Sequence, residues 1–536
     1  MTLTMVSTTL GGLGLFLLGM QLLTEGLKAL AGSRLHEWLQ RAAHSDQRAI
    51  LSGTLITALV QSSSAVTVAT LGFVNAGLLS LRQAIAIVFG CNLGTTMTGW
   101  MVALLGLKLD IGALALPMIG LGMLAQLLPR PLLQASGQSL SGLGLFFLGI
   151  NLLKDGLAGW NAGLILPGQD LPLLGQLLLL IGVGTLLTAI MQSSSAVLAL
   201  VLSATVSLNL PLSLAAALVI GANLGTTSTA ILAVIGATAN AKRVAAAHIL
   251  FNLLTAAVGL LLLLGLHPAL SQWQSQEPAS VLAAFHTGFN LLGILLLWPL
   301  LTRLTLWLQT RFQQQEHQPS QPQYVDTTLL ATPALALEAL DLELARLGSL
   351  SLQQAQAALS SESGPDRLQQ EWETLQQHLD QHITELGRQP LSVEQGQRLS
   401  LLLRISHYYQ DVRHQANTLA TQLQARPLPT ASALSQRLLQ LQQDGVALLE
   451  LARPHGRYFC DPAALEHSLQ RLQQGYQQSK QLLFEAGSQG QLPLQEMLAW
   501  LDIGGRLEHL AELAVKAHRH RASLFVTTDQ SHAGAA

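Results

Sequence analysis

Apolar residues dominate the chain as far as residue 312, then give way to regular leucines on a background rich in Gln, Glu, Arg and His. A helix that crosses a bilayer needs about 20 consecutive, mostly apolar residues. Stretches 7–28, 83–105, 111–128, 139–158, 213–236, 244–266 and 280–302 meet that requirement and predict seven spans. Four more apolar stretches, 50–60, 65–79, 172–191 and 196–210, are short or interrupted, and the interruption is the same each time: QSSSAV at 61–66 and again at 192–197. A straight span with Gln-Ser-Ser-Ser at its centre would strand several polar groups in hydrocarbon. A helical hairpin or broken helix, with QSSS near its tip inside the protein, avoids that cost.

Each QSSS run is followed, 31 residues after its glutamine, by NLGTT at 92–96 and 223–227, so both motifs recur at an offset of 131. GLGLFLLGM at 12–20 pairs with GLGLFFLGI at 142–150 at an offset of 130. Each repeat therefore holds a span, a hairpin and at least one further span. Three predicted spans separate corresponding points, and an odd number turns the second copy upside down. Inverted repeats with broken helices meeting near the midplane are a transporter arrangement. If both hairpins return to the side they entered, Arg34, Arg41, Arg48, Arg82, Arg130, Lys242, Arg243, Arg303 and Arg311 fall on one side, and only Lys108 and Lys154 on the other. The positive-inside rule then puts the N-terminus outside and the C-terminal part in the cytoplasm, in a plasma membrane such as the bacterial inner membrane.

Composition supports a chain that is partly out of water: charged residues make up 11%, where a soluble domain carries about 25%. The net charge of -2 offers no footprint for nucleic acid. Cys91 and Cys460 fall in different predicted domains, so no structural disulfide is expected. The N-terminus lacks a basic n-region and an A-x-A-like cleavage site, and residues 7–29 read as a retained span. Walker A, nucleophile-elbow and clustered His/Cys patterns are absent, so neither an enzyme nor a resident cofactor or metal is expected.

The hairpin tips offer Gln61, Ser62, Ser63 and Ser64, and Gln192, Ser193, Ser194 and Ser195. Hydroxyl and amide oxygens, with carbonyls freed at a helix break, are hard neutral ligands suited to Na⁺, while their O–H and N–H groups can hold an oxyanion at a helix start. Asn92, Thr95, Thr96, Asn223, Thr226 and Thr227 add polar partners close to glycines that permit near backbone approach. A lone Ser or Thr in a membrane helix usually bonds its own i−4 carbonyl or lines a helix contact; a duplicated block at matched spacing points instead to function. A third pair, A-x-H-x-x-F-N at 246–252 and 284–290, puts His248 with Asn252 and His286 with Asn290 on single helix faces, in supporting roles. No acidic residue lies mid-span, and Glu25 and Asp155 lie toward helix ends, which favours sodium coupling over protons.

Two QSSS motifs, each followed by N-L-G-T-T, resemble the sodium/phosphate cotransporter family, the type II group and its bacterial relatives, over residues 7–302. The resemblance implies sodium-coupled movement of inorganic phosphate, with residues 61–64 and 192–195 forming the central site and Asn92, Thr95, Thr96, Asn223, Thr226 and Thr227 lining or bracing it. Some bacterial relatives favour efflux, which leaves direction open. The alternatives are an exporter, a carrier of another oxyanion, or a membrane-anchored sensor of phosphate status.

The expected fold class is all-α: a membrane domain over 1–317, with repeats at 7–128 and 139–266 and a further span at 280–302, then a soluble helical bundle. A linker is expected at 318–328, the bundle at 329–523 and a disordered tail at 524–536. Breaks near 361–365, 390, 427–430, 454–456 and 493 mark about six helices. Attached to this family, such a bundle resembles a PhoU-like domain, with a regulatory or docking role toward a cytoplasmic protein or a second copy. The acidic metal-binding run of such domains survives here only as YQDVR at 409–413 and GGRLE at 504–508, so metal binding is not expected there, and His407, His414, His509, His518 and His520 read as surface or helix-face residues.

Overall fold

The computed structural model describes residues 3–31, 38–39, 45–75, 78–108, 112–158, 160, 167–168, 170–235, 237–274, 277–312, 321–325, 329–330, 333–360, 366–429, 432–454 and 460–533. Among them all regular structure is helical. The chain divides into two compact units, Met1–Gln313 and Gln314–Ala536.

The first unit begins with α1 (Leu3–Ala31), followed by α2 (Asp46–Val60), α3 (Ser63–Asn75), α4 (Leu81–Trp100), α5 (Gly112–Gln126) and α6 (Pro131–Leu157). The second copy continues with α7 (Leu173–Met191), α8 (Ser194–Ser207), α9 (Leu212–Gly225), α10 (Thr227–Ala233) and α11 (Ala239–Trp273), before α12 (Pro278–Leu297) and α13 (Leu301–Gln309). α4 runs on as a π-helical segment over Met101–Lys108.

Glycine spacing decides how α1 meets α6. Gly12, Gly19 and Gly26 recur every seven residues, as do Gly142, Gly149 and Gly156. A Cβ on Gly19 would stand 2.8 Å from the Gly142 carbonyl oxygen, and one on Gly149 would stand 2.9 Å from that of Gly12. Gly26 likewise meets Ser139, and Gly156 meets Thr9. Positions rise on one helix as they fall on the other, so the two run antiparallel. Exchanging the copies, by adding or subtracting 130, turns each contact into its counterpart. Equivalent helices that are antiparallel and related in this way show the inversion expected from the sequence.

The hairpins follow from the same kind of contact. Gly53 of α2 abuts Ile87 of α4, and Gly94 abuts Thr54 and Thr57, so positions rise together and α2 and α4 are parallel. Arg82 and Asp46, each near its helix start, pair at 2.5 Å in agreement with that direction. Because α3 alone joins two parallel helices, it must run back. The second copy repeats the pattern, Gly184 against Leu218 and Gly225 against Thr185 and Thr188, and α8 is the returning arm.

Among the described residues seven helices are long and apolar enough to cross a membrane, but one differs from expectation. Stretch 111–128 yields only the 15-residue α5, about 22 Å at 1.5 Å per residue and short of a hydrocarbon core of about 30 Å. The 19-residue α7, expected as a short hairpin arm, qualifies instead. Hydropathy cannot separate them, because the polar break in α7 comes only at its end. Direction can: α5 is antiparallel to α6, with Gly122 against Gly137 and Gly144 against Ala115. Arg34 and Arg41, used in the charge argument, lie outside the described residues.

Among its described residues the second unit is a bundle of six helices: α14 (Pro333–Leu359), α15 (Asp366–Gly387), α16 (Val393–Gln424), α17 (Ser432–Ala452), α18 (Pro462–Ser488) and α19 (Leu494–Ala533). Leucines of α14, α16, α17, α18 and α19 form its core. A fully buried pair, Arg521 Nε to Asp341 Oδ1 at 2.8 Å, joins the last helix to the first. Of the expected linker 318–328, residues 321–325 are described; the amides of Gln323 and Tyr324 donate to Glu343 at 2.9 and 2.7 Å, which fastens this stretch to α14. The tail expected from residue 524 begins inside α19, which continues to Ala533. His518 and His520 are held below the usual histidine range, chiefly by burial. His407 faces Asp411 at 3.6 Å on the surface.

Candidate functional site

Each QSSS run builds the same turn. Gln61 caps α2 with φ 57° and Gln192 caps α7 with φ 50°, both left-handed, a conformation that costs a non-glycine residue of order 1 kcal/mol and tends to persist at functional sites. The first serine then caps the returning arm: Ser62 Oγ accepts from the Ala65 amide at 3.3 Å, and Ser193 Oγ accepts from the Ala196 amide at 3.2 Å. Ser63 and Ser64, like Ser194 and Ser195, occupy the first helical positions, whose amide N–H groups have no carbonyl one turn back to bond. Every tip therefore joins the carbonyl end of one helix to the amide end of another. The carbonyl end favours a cation and the amide end an anion.

The tips face a common cavity of about 210 Å³. Gln61, Ser62, Ser63, Ser64, Gln192, Ser193, Ser194, Ser195, Thr95 and Thr226 all line it, and so does His248. No side chain with a fixed charge is among its described lining residues. A second cavity of about 470 Å³ reaches Gln61, Ser193 and Ser195 along the α1 face that carries Gln21, Thr24, Glu25 and Lys28. There Gln21 and Gln138 each donate to the Glu25 carboxylate at 3.0 Å, so Glu25 braces α1 against α6.

Four of the expected site residues sit behind the cavity wall. Thr96 Oγ1 donates to the Leu93 carbonyl at 2.7 Å and accepts from Thr287 of α12 at 3.1 Å. Thr227 bonds the Leu224 carbonyl at 2.8 Å. Asn92 is buried, donating to the Val88 carbonyl at 3.0 Å and accepting from His248 Nε2 at 3.2 Å. Asn223 donates to Asn252 Oδ1 at 2.9 Å and to Thr255 at 3.4 Å, and meets His286 Nε2 at 3.5 Å. Asn252 donates in turn to Thr226 at 3.3 Å, and Asn290 bonds the His286 carbonyl at 3.0 Å. The motif asparagines thus fix α4 and α9 to α11 and α12, while the first threonine of each motif turns to the cavity. His248 does both, with one face to Asn92 and one to the cavity.

Five further threonines line the cavity: Thr57, Thr67, Thr98, Thr188 and Thr229. Two pairs among them were legible, since Thr57 with Thr188 and Thr98 with Thr229 stand 131 apart. The repeated blocks extend to T-A-x-x-QSSSAV and NLGTT-x-T, one hydroxyl beyond QSSSAV and NLGTT themselves. Thr67 has no such mate, because Leu198 stands in its place.

The copies are not held alike. Thr98 donates to Gln61 Oε1 at 2.8 Å, and Ser195 reaches Thr98 at 3.5 Å, linking the first tip to the second repeat. Thr229 instead bonds the Thr226 carbonyl at 2.7 Å. Gln192 is exposed, and its only hydrogen bond among the described residues is to the Ala189 carbonyl, at 2.5 Å.

Comparison with known proteins matches residues 15–155 and 174–297 to the Na⁺/Pi-cotransporter family. The Bacillus subtilis (strain 168) "Uncharacterized protein YqeW" is 34% identical over 303 residues, covering 53% of this chain and 91% of that protein. The Escherichia coli (strain K12) "Putative inorganic phosphate export protein YjbB" is 27% identical over 411 residues, 74% of each chain. The human "Sodium-dependent phosphate transport protein 2B" is 32% identical over 98 residues, 18% of this chain and 14% of that one. No solved structure matches the chain. With both QSSS and both NLGTT motifs inside the matched segments and seven membrane-capable helices among the described residues, the chain belongs to the Na⁺/Pi-cotransporter family of membrane transporters and is not an enzyme.

Proposed function

We propose that this protein carries inorganic phosphate across the plasma membrane together with Na⁺, holding both between the two hairpin tips. The observation that carries this reading is the cavity itself: two tips of identical sequence, each joining a carbonyl-ended to an amide-ended helix, around a space lined by neutral oxygens. A tetrahedral oxyanion is held there by many neutral donors, and co-bound Na⁺ offsets its charge. Each ion then raises affinity for the other, by the same factor in both directions. The charge distribution supports an external N-terminus and a cytoplasmic helical bundle, with Arg48, Arg82, Arg130 and Arg303 on the cytoplasmic side. We assign the bundle a PhoU-like regulatory role toward a cytoplasmic partner or a second copy.

The test is flux of labelled phosphate in proteoliposomes, with Na⁺ and pH varied independently. Phosphate should move with the imposed Na⁺ gradient, and Ser63→Ala or Ser194→Ala should lower the rate by about tenfold or more, the scale of a lost hydrogen bond to an ion. Wild-type vesicles that move no phosphate under either gradient direction would sink the reading. Export is the second reading, favoured by the name of the Escherichia coli relative, which aligns with 74% of this chain. Net flux against an opposing phosphate gradient separates the two directions.

A further inference from the structure

Buried threonines in this protein use their hydroxyls. Thr9, Thr70, Thr205 and Thr305 bond the carbonyl four residues back, Thr96 and Thr255 the one three back, and Thr98 and Thr238 bond Gln61 and Asn75. Thr57 and Thr188 depart from this. Both are 1% exposed, and both line the cavity. Among the described residues Thr188 Oγ1 has no hydrogen-bond partner, and Thr57 Oγ1 has only the weakly polar Cys91 thiol beside it. They are mates across the duplication. An unsatisfied buried hydroxyl costs about 1–3 kcal/mol, so carrying one at the same place in each copy needs a reason.

The motif glycines show that the placement is built. A Cβ on Gly94 would lie 2.7 Å from Thr57 Cβ, and one on Gly225 would lie 2.5 Å from Thr188 Cβ and 3.0 Å from its methyl. The glycine of NLGTT therefore lets the threonine sit against the neighbouring helix. At Thr188 it receives the methyl, leaving the hydroxyl turned elsewhere. Each threonine stands in the last turn of its arm, four residues before the left-handed glutamine. That is the carbonyl end, where the field favours a cation. The serines of the same tips stand at the amide end, where it favours an anion.

We infer that Thr57 and Thr188 are alkali-cation ligands, one at the carbonyl end of each hairpin, and that the oxyanion is held by the serine starts of the returning arms. The assignment rests on the reading of the chain as a Na⁺-coupled phosphate carrier, and it divides the cavity's oxygens between the two ions.

The test uses the full chain with Thr57→Val and Thr188→Val, singly and together, since valine keeps the shape and removes the hydroxyl. Two readouts are taken: Na⁺-dependent thermal stabilisation in detergent against a K⁺ control, and phosphate flux against Na⁺ concentration in proteoliposomes. Each valine should raise the half-maximal Na⁺ concentration by about tenfold while changing phosphate affinity at saturating Na⁺ less than about threefold. Serine at either position should restore the wild-type value. Thr70→Val is the control, because Thr70 bonds Val66 and its mate is already Val201. A double variant with wild-type Na⁺ stabilisation overturns the assignment, as does a wild type that Na⁺ does not stabilise. A drop in phosphate affinity with unchanged Na⁺ dependence also overturns it, by giving the hydroxyls to the anion. If Na⁺ stabilises the wild type and not the double variant, yet no phosphate moves, the assignment stands and the transport reading fails.

Discussion

Gln61 and Gln192 occupy the same place in their repeats, with the same left-handed backbone and the same 2.5 Å bond to the carbonyl three residues back, yet only Gln61 is tied across to α4. Behind them the packing of α2 on α4 matches that of α7 on α9. Thr54 bonds the Ile50 and Gly90 carbonyls at 2.9 and 3.1 Å, and Thr185 bonds those of Ile181 and Gly221 at 2.8 and 3.2 Å. The copies differ instead at the tips and at the motif asparagines, where Asn223 reaches three side chains and Asn92 one. Tips of equal sequence thus sit in unequal surroundings within one structure.

The largest test of this comparison breaks the scaffold. A Cβ at Gly53 would lie 2.1 Å from the Ile87 carbonyl oxygen, and one at Gly184 would lie 2.3 Å from that of Leu218. Gly53→Leu and Gly184→Leu should each cost about 3 kcal/mol or more, and both should lose the monodisperse peak in size exclusion. Survival of one and not the other would show that the scaffold is not matched after all. A smaller effect separates the braces. Asn223 holds three side chains where Asn92 holds one, so Asn223→Ala should destabilise by about 2 kcal/mol and Asn92→Ala by about 1 kcal/mol. Thermal melting of the two variants reads the order directly. The smallest effect sharpens the tips: without substrate, Gln61→Ala should cost about 1 kcal/mol and Gln192→Ala close to nothing, while both slow phosphate flux. Equal melting shifts would mean that the Gln61–Thr98 bond contributes nothing to the difference between the copies.

Much of this organisation is written in the chain. The two QSSS blocks and the NLGTT blocks mark the turns, and the heptad glycines of α1 and α6 spell out their contact, although a glycine every seventh residue is easily passed over in a run of leucine. Thr57, Thr98, Thr188 and Thr229 were also readable, one hydroxyl outside each recognised block. Other features were not. α5 and α7 exchange places in a hydropathy ranking because length and greasiness do not record which way a helix runs. Whether a motif residue faces the cavity or the wall depends on helix rotation, so Thr95 and Thr96, adjacent in sequence, part company. The contrast between Gln61 and Gln192 is beyond any local reading, since identical segments cannot encode which of two arrangements is occupied.

The interlock of α1 with α6 has a mechanical meaning. A Cβ added at any of the six glycines would fall within 3 Å of the partner helix, so the two helices behave as one body, because sliding by a single residue would drive side chains into the neighbouring helix. On the transport reading proposed above, this pair is the fixed body of the membrane unit, and opening the cavity to one side or the other is the work of the hairpins with α4 and α9.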